Sequence, residues 1–277
     1  MMTKIKFFFT LIGLAAFLSC SDTKIVENIP NDSETAAPVS GYFKKRVLIE
    51  DYTGTWCGNC TRVAYAIDQT YLQSDKVVSI AIHNGNDPYH FPDYQPLKDL
   101  IMPNSDLELP QSRLNRTIVW SSPEPSNIEQ AKALTSNNGG LGIAMNSTVA
   151  NGNINLDVNI KFAQNYTGLK LVVYVVEDHL IYPQRNYTTY YNGVNPIPNY
   201  EHNHVLRTPL TNLLGDVISE STTVGQTVTK SFSLPIPSTI SNPENVSFVA
   251  FIVNSDNLAI NARHADKNEN QSFEQNP

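Results

Sequence analysis

The stretch Trp56-Cys57-Gly58-Asn59-Cys60 constrains this chain more than any other. It lies between a strand-like apolar run at 46–52 and a helix-like run at 61–72. A Cys-x-x-Cys pair at a strand-to-helix junction is a dithiol redox motif. The reactive form is the thiolate, and a free Cys with a pKa near ~8.5 is little ionised at neutral pH. At the first turn of a helix, unpaired N–H groups and the macrodipole stabilise an anion. Cys57 is therefore expected there as the exposed nucleophile. Cys60, one turn further in, is expected to resolve a mixed disulfide.

The chain has three cysteines, and the third explains location. Cys20 ends an N-terminal segment that carries Lys4 and Lys6 and then an apolar run at 7–18. That run is shorter than the about 20 apolar residues a membrane span needs. It has the layout of a secretory signal peptide. Phe17-Leu18-Ser19-Cys20 resembles a bacterial lipoprotein box, which implies a lipid on Cys20. The alternative is a plain signal peptide that leaves Cys20 free. An exported chain can hold disulfides, but no cysteine is left for a bridge outside the 57/60 pair. Net charge is −7, which argues against a nucleic-acid partner. It also offers no basic patch for anionic lipid, so membrane attachment is assigned to Cys20.

Patterning predicts α/β followed by all-β. Residues 1–19 read as signal peptide and 20–40 as a polar tether. Val63, Ile67 and Tyr71 recur at spacing four, as on an amphipathic helix. A continuous apolar strand at 77–82 follows, and this βαβ order implies a parallel pair. A short helix near 94–101 and a closing helix at 126–136 complete a first domain at 41–138. From Gly142 the period changes to two. Ile154, Leu156, Val158, Ile160 and Phe162 alternate with polar residues, and Asn151-Gly152 is a hairpin signal. A β-sandwich at 139–266 is predicted. A polar tail at 267–277 ends the chain.

Residues 50–60 resemble the active-site segment of the thioredoxin superfamily. The resemblance implies a buried acid at Asp51 that moves protons for the resolving Cys. Glu50 would take that role if the register slips by one. Asp51 could also be an ordinary strand-end carboxylate. Pro110 fits the superfamily's cis-proline, against a base rate of only ~5–6% cis for X–Pro bonds. Trp56, Leu109 and Pro110 would then shape a substrate surface. A zinc site is the rival use of the Cys pair, and it needs two more ligands. His83, His90, His202 and His204 are available, but no spacing matches a zinc module. No metal and no cofactor are expected. His83 is read as a pocket-edge residue, and His202 and His204 as a local hydrogen-bond network.

Four further segments carry a closer resemblance. Residues 50–60, Leu109-Pro110 with Asn115-Arg116, Tyr200-Glu201-His202-Asn203-His204-Val205-Leu206-Arg207, and residues 248–254 resemble the outer membrane protein twenty-eight family. That family implies lipoproteins with a thioredoxin-like domain followed by an immunoglobulin-like β-sandwich. The leading expectation is a membrane-tethered thiol–disulfide oxidoreductase acting on exported proteins or peptides through Cys57, Cys60 and Asp51, with its redox partner unidentified. The alternative is a surface binding or adhesin-like lipoprotein in which the Cys pair is a structural disulfide. A peptide-holding chaperone is a third possibility.

Overall fold

The computed structural model describes residues 37–277, so the signal peptide, Cys20 and most of the tether lie outside the described residues. Strands β1 (Phe43–Lys45) and β2 (Val47–Thr53) lead to helix α1 (Thr61–Gln73) and β3 (Val77–His83). Helix α2 (Gln95–Ile101), β4 (Gln111–Leu114), β5 (Ile118–Val119) and α3 (Ile128–Lys132) follow. Next come β6 (Ser136–Gly139), β7 (Leu141–Ala150), β8 (Asn153–Phe162), β9 (Lys170–Glu177), β10 (Leu180–Gln184), β11 (Ile197–His202) and β12 (Val205–Pro209). Strands β13 (Asp216–Val217), β14 (Thr227–Pro235), β15 (Val246–Val253) and β16 (Ala259–Asp266) end the chain. The fold is rich in sheet and poor in helix. No helix among the described residues is long and apolar enough to cross a membrane.

One sheet runs through both halves. Its order is β16-β15-β9-β12-β3-β2-β4-β5, with β13 added beside β9. The seam is the parallel contact of β12 with β3, where Val205 faces Ala81. A second sheet, β14-β8-β7, packs on one face of β9 and β15. The period-two alternation of strands explains how one strand serves two cores. Leu171, Val173 and Val175 of β9 face the three-stranded sheet. Val172, Tyr174 and Val176 face the opposite way, into a core with Leu48, Tyr52, Val78 and Ile82. A third core sits under α1 and α3 and holds Val47, Ile49, Val63, Ile67 and Trp120.

Several expectations change here. The closing helix is confined to Ile128–Lys132. The stretch read as a domain boundary forms β6, paired antiparallel with β1. The hairpin at Asn151-Gly152 is present, and both residues have positive φ, 52° and 76°. That left-handed backbone is the one an Asn-Gly turn accepts at low cost.

The polar tail is part of the folded body. Gln275 bridges to Phe43, and Asn270 to Asn146. Glu274 is held by Arg46 through both carboxylate oxygens, one at 2.9 Å, with Lys44 at 3.3 Å and Arg263 at 3.8 Å. Burial pushes the Glu274 carboxyl up, but the Arg46 bonds and the neighbouring cations outweigh it and bring it down to about 2. A carboxyl depressed on folding stabilises the native state above its unfolded pKa, and the benefit is lost as pH falls through the folded value. Glu274→Gln is therefore expected to cost about 1.5–3 kcal/mol at neutral pH, the range for hydrogen bonds to charged groups. The difference from wild type should shrink between pH 4.5 and about 2. Urea unfolding across that range measures it, and a pH-independent difference would remove Glu274 as the cause.

Candidate functional site around the Cys57–Cys60 bridge

Strand β2 is buried along its whole length, and its alternation settles which acid faces the cysteines. Val47 and Ile49 point toward α1, and Asp51 and Thr53 share that phase. Leu48 and Tyr52 point the other way, and Glu50 follows them toward Arg116. Asp51 and Cys60 line one cavity of about 110 Å³. Glu50 is not among its lining residues.

After β2 the chain turns twice. Cys57 N donates to Gly54 O at 2.9 Å, and Cys60 N donates to Cys57 O at 3.2 Å. Asp87 anchors the loop by accepting from Thr55 N at 2.5 Å, and it lies 3.0 Å from His83 Nδ1. Trp56 donates its indole N–H to Asn84 O at 2.7 Å while its ring is 45% exposed. Helix α1 begins at Thr61, where the apolar run predicts it, so Cys57 is not in its first turn. Cys60 occupies the N-cap, and Cys57 lies in the turn before it. Cys57 and Cys60 form a disulfide.

The expectation of an exposed Cys57 is corrected. Cys57 is 5% exposed and Cys60 1%. The cause is a segment of this same chain, residues 184–188, which starts at the last residue of β10. Gln184 Nε2 donates to Cys57 O at 3.0 Å. Arg185 N donates to Thr55 O at 2.9 Å, and Tyr187 N donates to Gly58 O at 2.8 Å. These alternate donors lie along the Cys loop as an added strand would. The Tyr187 ring closes over Gly58, where a Cβ would stand 2.3 Å from it. A glycine at 58 is what permits that approach. Asn186 locks the arm to α1 by accepting from Thr61 Oγ1 at 2.8 Å. Farther along, Tyr190 stacks on Tyr65 with centroids 4.3 Å apart, and Tyr191 donates to Asp68 at 2.9 Å.

The cavity behind the bridge is lined by Asp51, Cys60, Asp68, His83, Tyr200 and His202 among others. Burial pushes the Asp51 carboxyl well up, Glu124 adds to this, and Arg62 opposes it. Asp51 Oδ1 has no hydrogen-bond partner. Burial pulls His202 down to about 4, and His83 adds to the shift. Burial thus disfavours charge on both groups: the His202 imidazole is uncharged at neutral pH, and the Asp51 carboxyl is shifted toward its protonated form. A carboxyl raised in this way, in a cavity that Cys60 also lines, is suited to proton transfer.

Leu109 and Pro110 sit apart from this cavity's lining. Their peptide bond is cis, and Leu109 packs against the core shared by Tyr52 and Leu97. They lead into β4, whose Gln111 and Ser112 pair with Tyr52 and Asp51. His202 and His204 do not lie on one strand. His202 ends β11, and His204 sits in the turn before β12 with φ 57°. Both line the cavity with Cys60, a placement that sequence reasoning missed. The covering arm was missed as well. Its Tyr-rich stretch at 187–191 carries no spacing that ties it to the cysteines. The segment Tyr200–Arg207 was the available lead. It ends β11 and begins the seam strand β12, and Arg207 Nε lies 3.1 Å from Glu177.

Comparisons with known proteins agree with this architecture. No curated protein matches the chain. The structure is similar to HBP35 of Porphyromonas gingivalis, with a TM-score of 0.62 at 18% identity, covering 86% of this chain and 81% of that one. At that identity the likeness concerns the fold. A domain of the outer membrane lipoprotein Omp28 from Porphyromonas gingivalis matches at 17% identity, with 48% of this chain and 99% of that one covered and a TM-score of 0.31. The family model for outer membrane protein Omp28 matches residues 107–271, more than half of the chain. This protein belongs to the Omp28 family of outer membrane proteins.

Proposed function

We propose that this outer-membrane protein is a binding lipoprotein, tethered through Cys20, in which the Cys57–Cys60 bridge is a structural cross-link. The observation that carries this reading is the burial of the bridge beneath residues 184–188 of the same chain. A disulfide that must meet a substrate sulfur needs an approach path, and here that path is filled. The surface outside the bridge suits docking. Trp56, Tyr182 and Tyr187 are 45%, 44% and 60% exposed. Large aromatics are enriched at the centres of interfaces. The partner is an exported protein or peptide. The parallel β2–α1–β3 unit, the Cys pair at the start of α1 and the cis Leu109–Pro110 bond support a thioredoxin-like first half. The sheet β14-β8-β7 packed on β9 and β15 supports a sandwich in the second.

One observation favours a second reading, a thiol–disulfide oxidoreductase. Burial raises the Asp51 carboxyl well above the ordinary carboxylate range in the cavity that Cys60 also lines. In that reading an external dithiol first reduces the bridge once the arm opens. The Cys57 thiolate then attacks a substrate disulfide and expels one substrate thiolate. Cys60 attacks Cys57 Sγ, expels the second and re-forms the bridge.

The two readings separate in living cells. A photo-crosslinking amino acid in place of Trp56 is expected to yield discrete partner adducts, because the ring faces outward. The same chain with Cys60→Ser is expected to form no mixed disulfides on non-reducing gels. Attack on a substrate leaves a covalent intermediate that a resolving thiol normally clears. Reproducible disulfide adducts through Cys57 would replace the binding reading with the redox one. An absence of both adduct types would leave neither standing.

A further inference from the structure

Asp178, His204 and His264 come from three separate elements. Asp178 follows β9, His204 lies in the β11–β12 turn and His264 is on β16. One ligand atom of each lies within 4.8 Å of the others. Each is half-buried, with side-chain exposures of 18%, 28% and 30%. The side chains therefore reach the surface, although ring nitrogens of both histidines are buried.

The polar atoms of this cluster are poorly satisfied by protein. His204 Nδ1 and His264 Nε2 are both buried and have no hydrogen-bond partner. The Asp178 Oδ1 approach to His204 Nδ1, at 3.1 Å, does not make one. Buried polar atoms are paired in the large majority of cases, so a partnerless His264 Nε2 beside a His204 Nδ1 that has only the Asp178 carboxylate against it calls for a cause. Their surroundings suggest which. Asp178 is oriented by His204 N at 2.6 Å and by Ser247 Oγ at 2.9 Å. His264 directs its other ring nitrogen toward Asp266, 4.0 Å away. A ligating imidazole commonly has its second nitrogen facing a carboxylate, and ligating carboxylates are themselves hydrogen-bonded.

We infer that Asp178, His204 and His264 form a binding site for a divalent transition cation of the zinc class. Two imidazoles and one carboxylate are borderline donors that suit zinc and not the oxygen-loving cations. Three protein ligands leave a position open, the pattern of exchangeable sites and not of closed structural ones. With bonds of about 2.0–2.1 Å, tetrahedral ligands stand ~3.3 Å apart, so closure needs side-chain movements of about 1 Å. The cysteines are not needed, since they are bonded to each other. The expectation of no metal rested on spacing along the chain. His264 is 60 residues from His204, far beyond any local ligand spacing.

The test is calorimetric titration of zinc chloride into the full chain, held in detergent, stripped of metal and free of histidine tags. One zinc per chain is expected to bind with micromolar or tighter affinity. His264→Gln and Asp178→Asn should each weaken binding at least tenfold. His90→Ala, an exposed histidine elsewhere, and Cys57→Ser with Cys60→Ser should leave it unchanged. Melting in chelator should be alike for wild type and His264→Gln, which keeps the readout separate from folding. Added zinc should raise the melting temperature of wild type alone, since a ligand stabilises only the state that binds it. No saturable binding overturns the site. So does equal binding by His264→Gln, or loss confined to the cysteine variant.

Discussion

Arg116→Ala is expected to cost about 3–5 kcal/mol of stability, the range for removing one partner of a buried ion pair. Arg116 is fully buried, as is Glu50, whose Oε1 lies 3.9 Å from Arg116 Nε. That separation gives attraction without a hydrogen bond, and Glu50 Oε1 has no bonded partner. The guanidinium donates to Tyr174 Oη at 3.1 Å and to Leu213 O at 2.7 Å, and it covers the Phe251 ring at 5.1 Å. Glu50 belongs to β2, whereas Tyr174 and Phe251 belong to β9 and β15. The pair therefore joins the two halves of the molecule. Burial already raises the Glu50 carboxyl, with Arg116 opposing. Without Arg116 nothing of that strength opposes burial. A carboxyl raised on folding favours the native state below its unfolded pKa and loses that contribution as pH rises through the folded one. The deficit of Arg116→Ala should thus be larger at pH 7 than below the ordinary Glu value of 4.5. Combining Arg116→Met with Glu50→Gln should recover most of the loss, because no buried charge is left alone. Urea unfolding of the set decides it. A single-variant cost under about 1 kcal/mol, the level of an exposed pair, would mean the pair holds nothing together.

Asn186→Ala is expected to expose the disulfide. Asn186 is buried, and its amide makes five side-chain bonds. It accepts from Thr61 Oγ1 at 2.8 Å, Thr188 N at 2.9 Å and Thr188 Oγ1 at 2.7 Å. It donates to Tyr190 O at 2.9 Å and Val194 O at 3.1 Å. Alanine would leave these partners to find water, which costs about 1–3 kcal/mol per buried group left unpaired. The arm opens locally, so the cost falls on that opening and not on the whole fold. A change of about 2–3 kcal/mol raises the open population roughly 30- to 150-fold. Reduction of Cys57–Cys60 by dithiothreitol, followed by alkylation and mass measurement, should accelerate by that factor. Global unfolding should move far less. An unchanged reduction rate would show that reductant reaches the bridge by another path.

What was legible in the sequence followed local rules. Val246–Val253 reads as a strand from its apolar run, and Asn151-Gly152 reads as a turn from its backbone preference. The phase of β2 is also local, so Asp51 rather than Glu50 could be placed toward the cysteines once Val47 and Ile49 are seen to face α1. What was hidden was non-local. Val205 pairs with Ala81 across more than a hundred residues, and no pattern within either strand announces the other. Residues 184–188 bind the Cys loop partly through the backbone N–H groups of Arg185 and Tyr187, groups that every residue but proline carries. They bind it otherwise through the Gln184 side chain, which no local spacing ties to the cysteines. Burial of Cys57 therefore leaves no compositional mark. The tail read as loose because it is polar, yet Glu274 and Asn276 are held through that same polarity.

That tail has a mechanical meaning. Gly41 N donates to Asn276 O at 3.1 Å, and Asn276 Nδ2 donates to Val39 O at 3.1 Å and Asn137 O at 2.6 Å. The two ends of the folded body are thus laced side by side, and the chain closes on itself like a ring. A pull arriving from the segment before Val39 meets this lacing first. Load is shared among neighbouring rungs between residues 39–44 and 274–276 before any core strand feels it. A body suspended from one end of its own chain can in this way resist tugging without a cross-link at the point of suspension.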